Sequence, residues 1–298
     1  MRESYIAIDW GSTNLRAWLY LNGECTDHLE SEAGVTRLNG RTPEQVFRDT
    51  LLPWQAHQVP VLMAGMVGSN AGWMTVPYLP CPTRLTDFSR QLTRVEQATP
   101  FNAWIIPGLS VVSEGNCNVI RGEETQLIGA YTECPASLYL MPGTHSKWVQ
   151  MDGSEIVDFR TVMTGELHHL LMHHSLIGIG LTEQQANPAV FQQGLESGFK
   201  ETNIIRSLFE TRAAHVLGQL DKSAVSEWLS GLLIGNEVSQ MQRQYGITGD
   251  QPITLIGSPK LTARYQQALK FAGLTWQTLE GDRAFQAGIR SIINELEY

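Results

Sequence analysis

The sequence is poor in cysteine and contains no long apolar run. Its four cysteines are widely spaced and form no Cys-x-x-Cys pair, which argues against a disulfide framework and favours reduced, mostly buried thiols. No apolar stretch approaches the roughly 20 residues that span a bilayer, and the first residues lack a signal-peptide pattern. We therefore expect a cytoplasmic protein with no membrane partner.

Basic residues are also scarce. Lys and Arg total 21 against 30 Asp and Glu, which gives a net charge of -9. Such a chain has no broad basic surface for the phosphates of a nucleic acid, so no nucleic-acid partner is expected. Anionic ligands would have to be bound locally, by a few cations and by helix N-termini.

Two common nucleotide-binding fingerprints are missing. The chain has no Gly-x-x-x-x-Gly-Lys loop, and Gly178-Ile179-Gly180 lacks the third glycine and the preceding strand of a dinucleotide site. Four histidines, 168, 169, 173 and 174, crowd one predicted helix without the spacing of zinc ligands, so we interpret them as a partly exposed helix face. P-loop, Rossmann and zinc chemistry are therefore not expected.

The two halves of the chain contain predicted strands and helices in a similar order. Its 298 residues, 42% of them hydrophobic, are enough for two domains. In the first half we predict strands over 5–9, 15–21 and from 24, a helix from the cap Thr42 to about 54, and a strand over 59–64. In the second half we predict strands over 137–141, 147–151 and 155–163, helices between 165 and 245, a strand over 253–256, a helix from 261, a strand near 274–279 and a last helix from 283. The pattern predicts an α/β protein with lobes 1–112 and 113–298, divided near 108–118.

Two of the predicted turns have the composition of phosphate-binding loops. Asp9-Trp10-Gly11-Ser12-Thr13-Asn14 joins the first two strands, and Pro142-Gly143-Thr144-His145-Ser146-Lys147 stands at the equivalent point of the second half. Such turns can wrap a phosphate with backbone N–H groups and hydroxyls, while a carboxylate holds hydrated Mg²⁺. Each turn alone fits an ordinary hairpin better, and their recurrence favours a polyphosphate site. A third loop, Gly257-Ser258, follows a strand and starts a helix, where either a ligand contact or a plain connection is possible.

These loops resemble the two phosphate motifs and the adenosine motif of the superfamily that joins actin, the sugar kinases and the heat-shock chaperones. Three further stretches, 64–69, 121–126 and 161–167, resemble the 2-dehydro-3-deoxygalactonokinase family. The resemblance implies a two-lobed sugar-kinase fold, which is actin-like and ribonuclease H-like with a duplicated core. It also implies ATP and Mg²⁺ as cofactors and transfer of the γ-phosphoryl group to the 6-hydroxyl of 2-dehydro-3-deoxy-D-galactonate.

The same resemblance implies roles for individual residues. Asp9 should hold the metal through water, and Gly257 with Ser258 should contact adenosine. The phosphate contacts implied are Gly11, Ser12, Thr13 and Asn14 in the first loop, and Gly143, Thr144, His145 and Ser146 in the second. Arg16 and Lys147 would either neutralise phosphate or face solvent from their strands.

The acceptor side of the site is less determined. In the relatives, a helix between the two phosphate loops starts with a carboxylate that follows a glycine, and this carboxylate is usually Asp. Here Gly122 is followed by Glu123 and Glu124. Alignment of the motif on Gly122 favours Glu123 as the base. Two acids that merely complement the helix dipole are the alternative. Arg121 and Arg160 are candidates for the substrate carboxylate, with surface salt bridges as the alternative. For the substrate hydroxyls we list Ser69, Asn70 and Thr164.

Other functions stay open from sequence alone. A kinase of an epimeric sugar acid would differ only in pocket geometry. A nucleotide-driven switch of the same superfamily would hydrolyse ATP without a metabolite acceptor, and a non-catalytic sugar-acid sensor would keep only the fold. A homodimer is also open.

Overall fold

A computed structural model describes residues 3–296, which form strands, helices and short 3₁₀ turns. The strands are β1 (Tyr5–Trp10), β2 (Leu15–Leu21), β3 (Glu24–Ser31), β4 (Val61–Ala64), β5 (Tyr78–Pro80), β6 (Thr83–Arg84), β7 (Thr93–Arg94), β8 (Ala103–Ile105), β9 (Gly108–Ser113), β10 (Asn116–Ile120), β11 (Leu138–Met141), β12 (Ser146–Asp152), β13 (Glu155–Val162), β14 (Ile253–Ile256) and β15 (Trp276–Leu279). The helices are α1 (Pro43–Leu51), α2 (Asp87–Arg90), α3 (Glu123–Glu133), α4 (Thr164–His174), α5 (Pro188–Lys200), α6 (Ile204–Val216), α7 (Val225–Tyr245), α8 (Pro259–Phe271) and α9 (Gly281–Glu295).

The described residues divide into two compact units. The first comprises residues 3–135, 149–159 and 279–296, and the second comprises 136–148 and 160–278. These units are discontinuous in sequence, whereas the predicted lobes were continuous. One physical reason is that α3 packs closely on the last helix, α9. A Cβ on Gly129 would lie 1.9 Å from the Ala284 carbonyl oxygen, and one on Gly288 would lie 1.9 Å from that of Thr125.

The first unit contains a six-stranded sheet of order β3-β2-β1-β4-β8-β7. The antiparallel pair β1 and β2 sets Asp9 directly opposite Arg16, and the parallel pair β1 and β4 sets Asp9 beside Ala64. The turn from β2 to β3 is the predicted one, with Asn22 and Gly23 both at positive φ. The capping box at the start of α1 is also as predicted, because Thr42 accepts from the Gln45 N–H and the Gln45 side chain accepts from Thr42.

The second unit has its own core. Its strands β11 and β14 pair in parallel, with Tyr139 opposite Thr254 and Leu140 opposite Leu255. Trp148, Phe191 and Tyr265 are fully or almost fully buried there, between these strands and helices α5, α7 and α8. The elements from β11 to α9 follow the predicted order, and β14 has the predicted bounds.

The structure contains one hairpin that was not predicted, and it overturns one expectation. A hairpin, β9 and β10, occupies the region where the lobe boundary was expected, and it pairs with β5 in a separate three-stranded sheet. The expected burial of the thiols is wrong. All four cysteines are free, but Cys25 and Cys117 are exposed and Cys81 and Cys134 are half-buried. Cys25 lies on β3, an outer strand of its sheet whose residues are mostly exposed.

Within residues 3–296, no helix is both long enough and apolar enough to cross a membrane.

Candidate active site

Asp9 stands near the end of β1, in the first unit, among other charged groups. Arg16 Nη2 lies 2.5 Å from Asp9 Oδ2, and the same guanidinium also binds Asp282 at the start of α9. Burial raises the pKa of Asp9; Arg16 opposes this rise, and the negative charges of Asp282 and Glu123 add to it. A divalent cation bound to this carboxylate would offset both the loss of hydration on burial and the repulsion by the neighbouring carboxylates.

Two glycines bring the start of α3 to the end of β1. Gly65 and Gly122 have φ values of 97° and 111°, which L side chains rarely adopt. A Cβ on Gly65 would lie 2.8 Å from the Trp10 carbonyl oxygen, and one on Gly122 would lie 3.2 Å from Gly65 Cα. The glycines therefore allow a backbone approach that places Glu123 within electrostatic range of Asp9.

The two adjacent glutamates of α3 have different surroundings. Glu123 is half-buried, and its Oε2 accepts a 3.2 Å hydrogen bond from the Arg121 N–H. Glu124 is fully buried, and its Oε2 accepts from the Gly122 N–H at 2.6 Å. Burial, with a smaller contribution from Glu123, raises the pKa of Glu124 to about 8. At neutral pH, Glu124 is therefore mostly protonated, and Glu123 is the more accessible of the two carboxylates.

Arg121 is buried next to these glutamates with part of its guanidinium unused. It is 9% exposed; its Nη2 donates to the Val76 carbonyl at 2.6 Å, and its guanidinium lies 4.2 Å from the centre of the Tyr78 ring. Gly68 makes room for it, since a Cβ there would be 2.8 Å from Nη1. Nε and Nη1 have no hydrogen-bond acceptor among residues 3–296. Buried guanidinium donors without acceptors are costly, so this arrangement favours an anionic ligand.

The first predicted phosphate loop has exposed polar side chains. Its carbonyls are occupied, because those of Gly11, Ser12 and Thr13 accept from the N–H groups of residues 34–36. The side chains of Ser12, Thr13 and Asn14 are exposed. A turn whose carbonyls are bonded elsewhere and whose hydroxyls are exposed fits an anion better than a cation.

The second predicted phosphate loop is held by its own unit. The Thr144 carbonyl accepts from the Glu166 N–H at 2.9 Å, and the His145 ring contacts the Glu166 carboxylate at 2.5 Å. Lys147 is 5% exposed and donates to the His145 carbonyl at 2.8 Å, so it does not face solvent from its strand. Gly143, Thr144 and His145 are half-buried or exposed, and they form the accessible part of the loop.

A buried carboxylate that the sequence analysis did not single out ties this loop to three helices. Glu237 of α7 accepts from Trp148 Nε1 at 2.8 Å, from the Thr164 hydroxyl at 2.5 Å and from the Tyr265 hydroxyl at 2.7 Å. The Tyr265 oxygen also lies 2.8 Å from the Ser146 hydroxyl. Burial raises the pKa of Glu237, and these hydrogen bonds oppose the rise. The sequence signal for it was an acid that follows the apolar run Leu232-Leu233-Ile234 on the same helix.

A cavity of about 200 Å³ lies beside this network, within the second unit. Its lining residues are Gly143, Thr164, Gly165, His168, Ser226, Ser230, Leu233, Ile234, Leu261, Arg264 and Tyr265. Arg264 is fixed by Glu227 at 2.6 Å and by the Ser230 hydroxyl at 3.0 Å. Burial lowers the pKa of His168, so its imidazole is neutral at pH 7. The cavity thus combines apolar surface with a few fixed polar groups, as small-molecule sites do.

The remaining predicted residues lie in both units. Gly257 is close to the second phosphate loop, because a Cβ on it would be 3.8 Å from the Pro142 carbonyl oxygen, and Ser258 is exposed at the start of α8. The Ser69 hydroxyl donates to the Met66 carbonyl at 2.7 Å, while Asn70 is exposed. Arg160 is half-buried on β13 in the second unit, whereas Arg121 stands with the glutamates of the first.

Comparison with known proteins identifies the family of this chain. The family model described as 2-keto-3-deoxy-galactonokinase matches residues 9–292. The chain belongs to that family. It is 56% identical to the 2-dehydro-3-deoxygalactonokinase of Escherichia coli K12 over 292 residues, which cover 98% of each chain.

The solved structures agree with the 2-keto-3-deoxy-galactonokinase assignment. A Sinorhizobium meliloti protein assigned as a 2-dehydro-3-deoxygalactonokinase superposes with a TM-score of 0.89 at 28% identity, covering 97% of this chain and 98% of its own. Component A of the (R)-2-hydroxyglutaryl-CoA dehydratase of Acidaminococcus fermentans superposes with a TM-score of 0.53 at 11% identity, covering 99% of this chain and all of its own. The fold is that of the sugar kinases and actin-like ATPases, as predicted.

Proposed function

We propose that the protein transfers the γ-phosphoryl group of ATP to the 6-hydroxyl of 2-dehydro-3-deoxy-D-galactonate, a step of galactonate breakdown. The products are ADP and 2-dehydro-3-deoxy-6-phospho-D-galactonate. Membership of the family and 56% identity to the E. coli kinase support the reaction class. The observation that carries the acceptor assignment is the buried guanidinium of Arg121, with unused donors beside Glu123 and Glu124.

Arg121 binds the carboxylate of the sugar acid in this proposal. After the Val76 contact, Nε and Nη1 keep N–H groups without an acceptor among residues 3–296, and a carboxylate can accept a charge-assisted hydrogen bond from either nitrogen. Arg160, the other candidate, lies in the second unit. Its position gives no comparable reason to assign it to the acceptor. Asn70 is a candidate for hydroxyl contacts because its side chain is exposed next to the segment that holds Arg121.

Glu123 accepts the proton of the attacking hydroxyl. A general base must be ionised and accessible, and Glu123 is half-buried whereas Glu124 is fully buried with a pKa of about 8. Glu124, mostly protonated at pH 7, serves as a positioning group at the start of α3. Phosphoryl transfer requires little more of a protein than orientation, charge stabilisation and this one proton acceptor.

Asp9 holds hydrated Mg²⁺ in this proposal. Mg²⁺ keeps several of its waters and binds proteins through one or two carboxylates together with substrate phosphates, so a cluster of three protein ligands is not needed. Asp9 fits this role because its pKa is raised by burial and by nearby carboxylates, a charge excess that a cation offsets. The metal, when bound, neutralises charge on the phosphates. Ser12, Thr13 and Asn14 bind the transferred phosphate.

The second unit binds the rest of the nucleotide. Gly143, Thr144 and His145 contact the other phosphates, and the adenosine occupies the cavity next to Gly257 and Ser258. The apolar side chains of Leu233, Ile234 and Leu261 suit a flat base, and neutral His168 with Ser226 supplies polar contacts. The hydroxyls of Ser146 and Thr164 are engaged in the Glu237 network, and we assign them to holding the cavity in shape.

An ATP-dependent step of this kind belongs in the cytoplasm, where ATP is supplied, and the four free thiols agree with that compartment. We further propose that two copies of the chain associate, because α6 leaves a row of large apolar side chains exposed.

The decisive experiment is coupled measurement of ADP release with the purified protein. We expect release only with Mg²⁺ and with 2-dehydro-3-deoxy-D-galactonate, and a much lower kcat/KM with its C4 epimer. Release that needs no acceptor would indicate a nucleotide switch, and faster release with the epimer would reassign the substrate. Binding of the sugar acid without ADP release would indicate a sensor.

A further inference from the structure

Helix α6 of the second unit buries polar side chains and exposes large apolar ones, although Leu208 and Ala214 pack against a small apolar cluster. Its buried residues are the polar Ser207, Thr211 and His215. Ile205 and Phe209, on the opposite side, are 77% and 69% exposed. A surface helix normally turns its apolar stripe inward, because burial of apolar area is the main stabilising term. The polar face is inward here because Thr211 donates to the Ser207 carbonyl at 2.9 Å and accepts from Trp228 at 3.2 Å.

The exposed apolar surface extends beyond the helix. Val216 and Leu217 continue the row at the end of α6, and Leu176 and Ile179 lie on the neighbouring 3₁₀ turn; these four side chains are 59–72% exposed. Arg212 fixes the turn to the helix by donating to the Ile179 carbonyl at 3.0 Å. We call these six side chains, Leu176, Ile179, Ile205, Phe209, Val216 and Leu217, the α6 face.

The α6 face has the size of one side of a stable interface. Six large side chains that are more than half exposed present roughly 700 Å² of apolar surface, against about 800 Å² per partner in a standard interface. The largest apolar patch on a typical monomer is about 300–600 Å². The α6 face is therefore larger than a free surface usually carries.

The chemistry of the face fits a second copy of the same chain. Of the charges beside it, Arg206 and Glu210 pair with each other at 3.4 Å, and Arg212 is bound to the Ile179 carbonyl at 3.0 Å. In an antiparallel arrangement about a twofold axis, Ile205 at one end of the row meets Leu217 at the other end of the partner's row. Phe209 then lies opposite the small Ala213, which leaves room for the ring.

We propose that the α6 face is the surface through which two copies of this chain form a homodimer about a twofold axis. This proposal concerns self-association and does not depend on the proposed kinase reaction. The two are tested separately by measuring molecular mass and ADP release on the same samples.

The test is sedimentation velocity of the wild type and of Phe209→Glu over a range of protein concentrations. We expect the wild type to sediment at twice the chain mass of 33.2 kDa. Loss of the central aromatic residue and insertion of a charge should raise the dimer dissociation constant by at least about 30-fold. Val112→Glu is the matched control, because Val112 is 83% exposed on β9 of the first unit and lies outside the face.

Circular dichroism identifies a variant that fails to fold, and Ile205→Ser with Phe209→Ser then replaces Phe209→Glu. A monomeric wild type at every concentration would overturn the proposal. So would a folded Phe209→Glu protein that remains as dimeric as the wild type, or a dimer that Val112→Glu disrupts equally. Unchanged ADP release in a monomeric variant leaves the kinase assignment intact.

Discussion

Glu124 in the first unit and Glu237 in the second are both buried carboxylates, yet their surroundings differ. Glu237 accepts from three side chains, those of Trp148, Thr164 and Tyr265. Glu124 accepts mainly from the Gly122 N–H, and the nearby Glu123 charge helps to raise its pKa to about 8. The second unit thus has a completed polar network, while the first keeps charged groups that are short of partners.

The guanidinium of Arg121 makes the same contrast. Its Nε and Nη1 have no acceptor in residues 3–296, whereas Arg264 of the second unit is bound by Glu227 and Ser230. Unpaired buried donors cost free energy, and catalytic sites are where proteins retain such a cost. In the proposed function, the ligand therefore completes the polar contacts of the first unit, while the second unit forms its polar network before a ligand binds.

Replacement of Glu123, the more accessible of the two glutamates, should have the largest effect. We expect Glu123→Gln to lower kcat by about 10²- to 10⁴-fold, because the amide cannot accept the proton of the attacking hydroxyl. ATP affinity, measured by calorimetry, should stay within a factor of two or so of the wild type, since the variant keeps its shape. Glu124→Gln is the matched control and should retain most of its turnover. A loss confined to Glu124→Gln would move the base by one residue.

Arg121 should have the next largest effect. Arg121→Lys keeps the positive charge but loses the planar set of guanidinium donors, so KM for the sugar acid should rise by about 10- to 100-fold while KM for ATP stays near the wild-type value. Arg160→Lys is the control and should leave both constants unchanged. If the two Michaelis constants rise together in Arg121→Lys, the residue does not bind the acceptor carboxylate.

Substitution of Glu237 should weaken nucleotide binding rather than binding of the sugar acid. In Glu237→Gln the amide keeps one acceptor for Trp148, but its NH₂ group faces the hydroxyls of Thr164 and Tyr265 and reverses those hydrogen bonds. We expect KM for ATP to rise by about tenfold or somewhat more, with KM for the sugar acid unchanged. Trp148→Phe, which removes only one donor, should show a smaller rise. An effect on the sugar acid alone would contradict the contrast between the units.

The pH dependence of stability should show the smallest effect when it is expressed per pH unit. The pKa of Glu124 is raised from its ordinary 4.5 to about 8 in the folded chain, so unfolding releases a proton between these values. Its contribution to stability is therefore complete at low pH and is lost as pH rises through this window, by about 1.4 kcal/mol or a factor of 10 per pH unit. Urea unfolding at pH 5, 6, 7 and 8 should show that slope for the wild type and a flatter one for Glu124→Gln. Parallel curves would mean that Glu124 is ionised in the folded protein.

Local sequence signals predicted the parts of the fold that depend on local geometry. The Asn22-Gly23 turn fixes the register of its hairpin, and the capping box at Thr42 starts α1 where expected. The turn after Asp9 also determines its cross-strand neighbour, Arg16. In contrast, β5, β6 and β7 have only two or three residues each, which is too short for a period to be read.

The site was less predictable because several of its contacts join residues far apart in sequence. The sequence indicated Glu123, Glu124 and Arg121 as candidates. Which of these side chains is buried and which is accessible depends on packing against Gly65 and Gly68, which are distant in sequence. The Glu237 network joins residues separated by 28, 73 and 89 positions. No local pattern carries such pairings; the apolar run that precedes Glu237 on α7 indicates only that this acid needs a partner.

The close packing of α3 on α9 has a consequence for how the protein is made. Helix α3 carries Glu123, and its partner α9 spans Gly281–Glu295, so residues 160–278 of the second unit lie between the two helices in sequence. Gly129 and Gly288 leave no space for a substitute side chain between these helices. During synthesis, α3 is therefore without its partner while residues 160–278 emerge from the ribosome. Such long sequence separation slows assembly, so the growing chain positions its proposed catalytic base only after α9 has emerged.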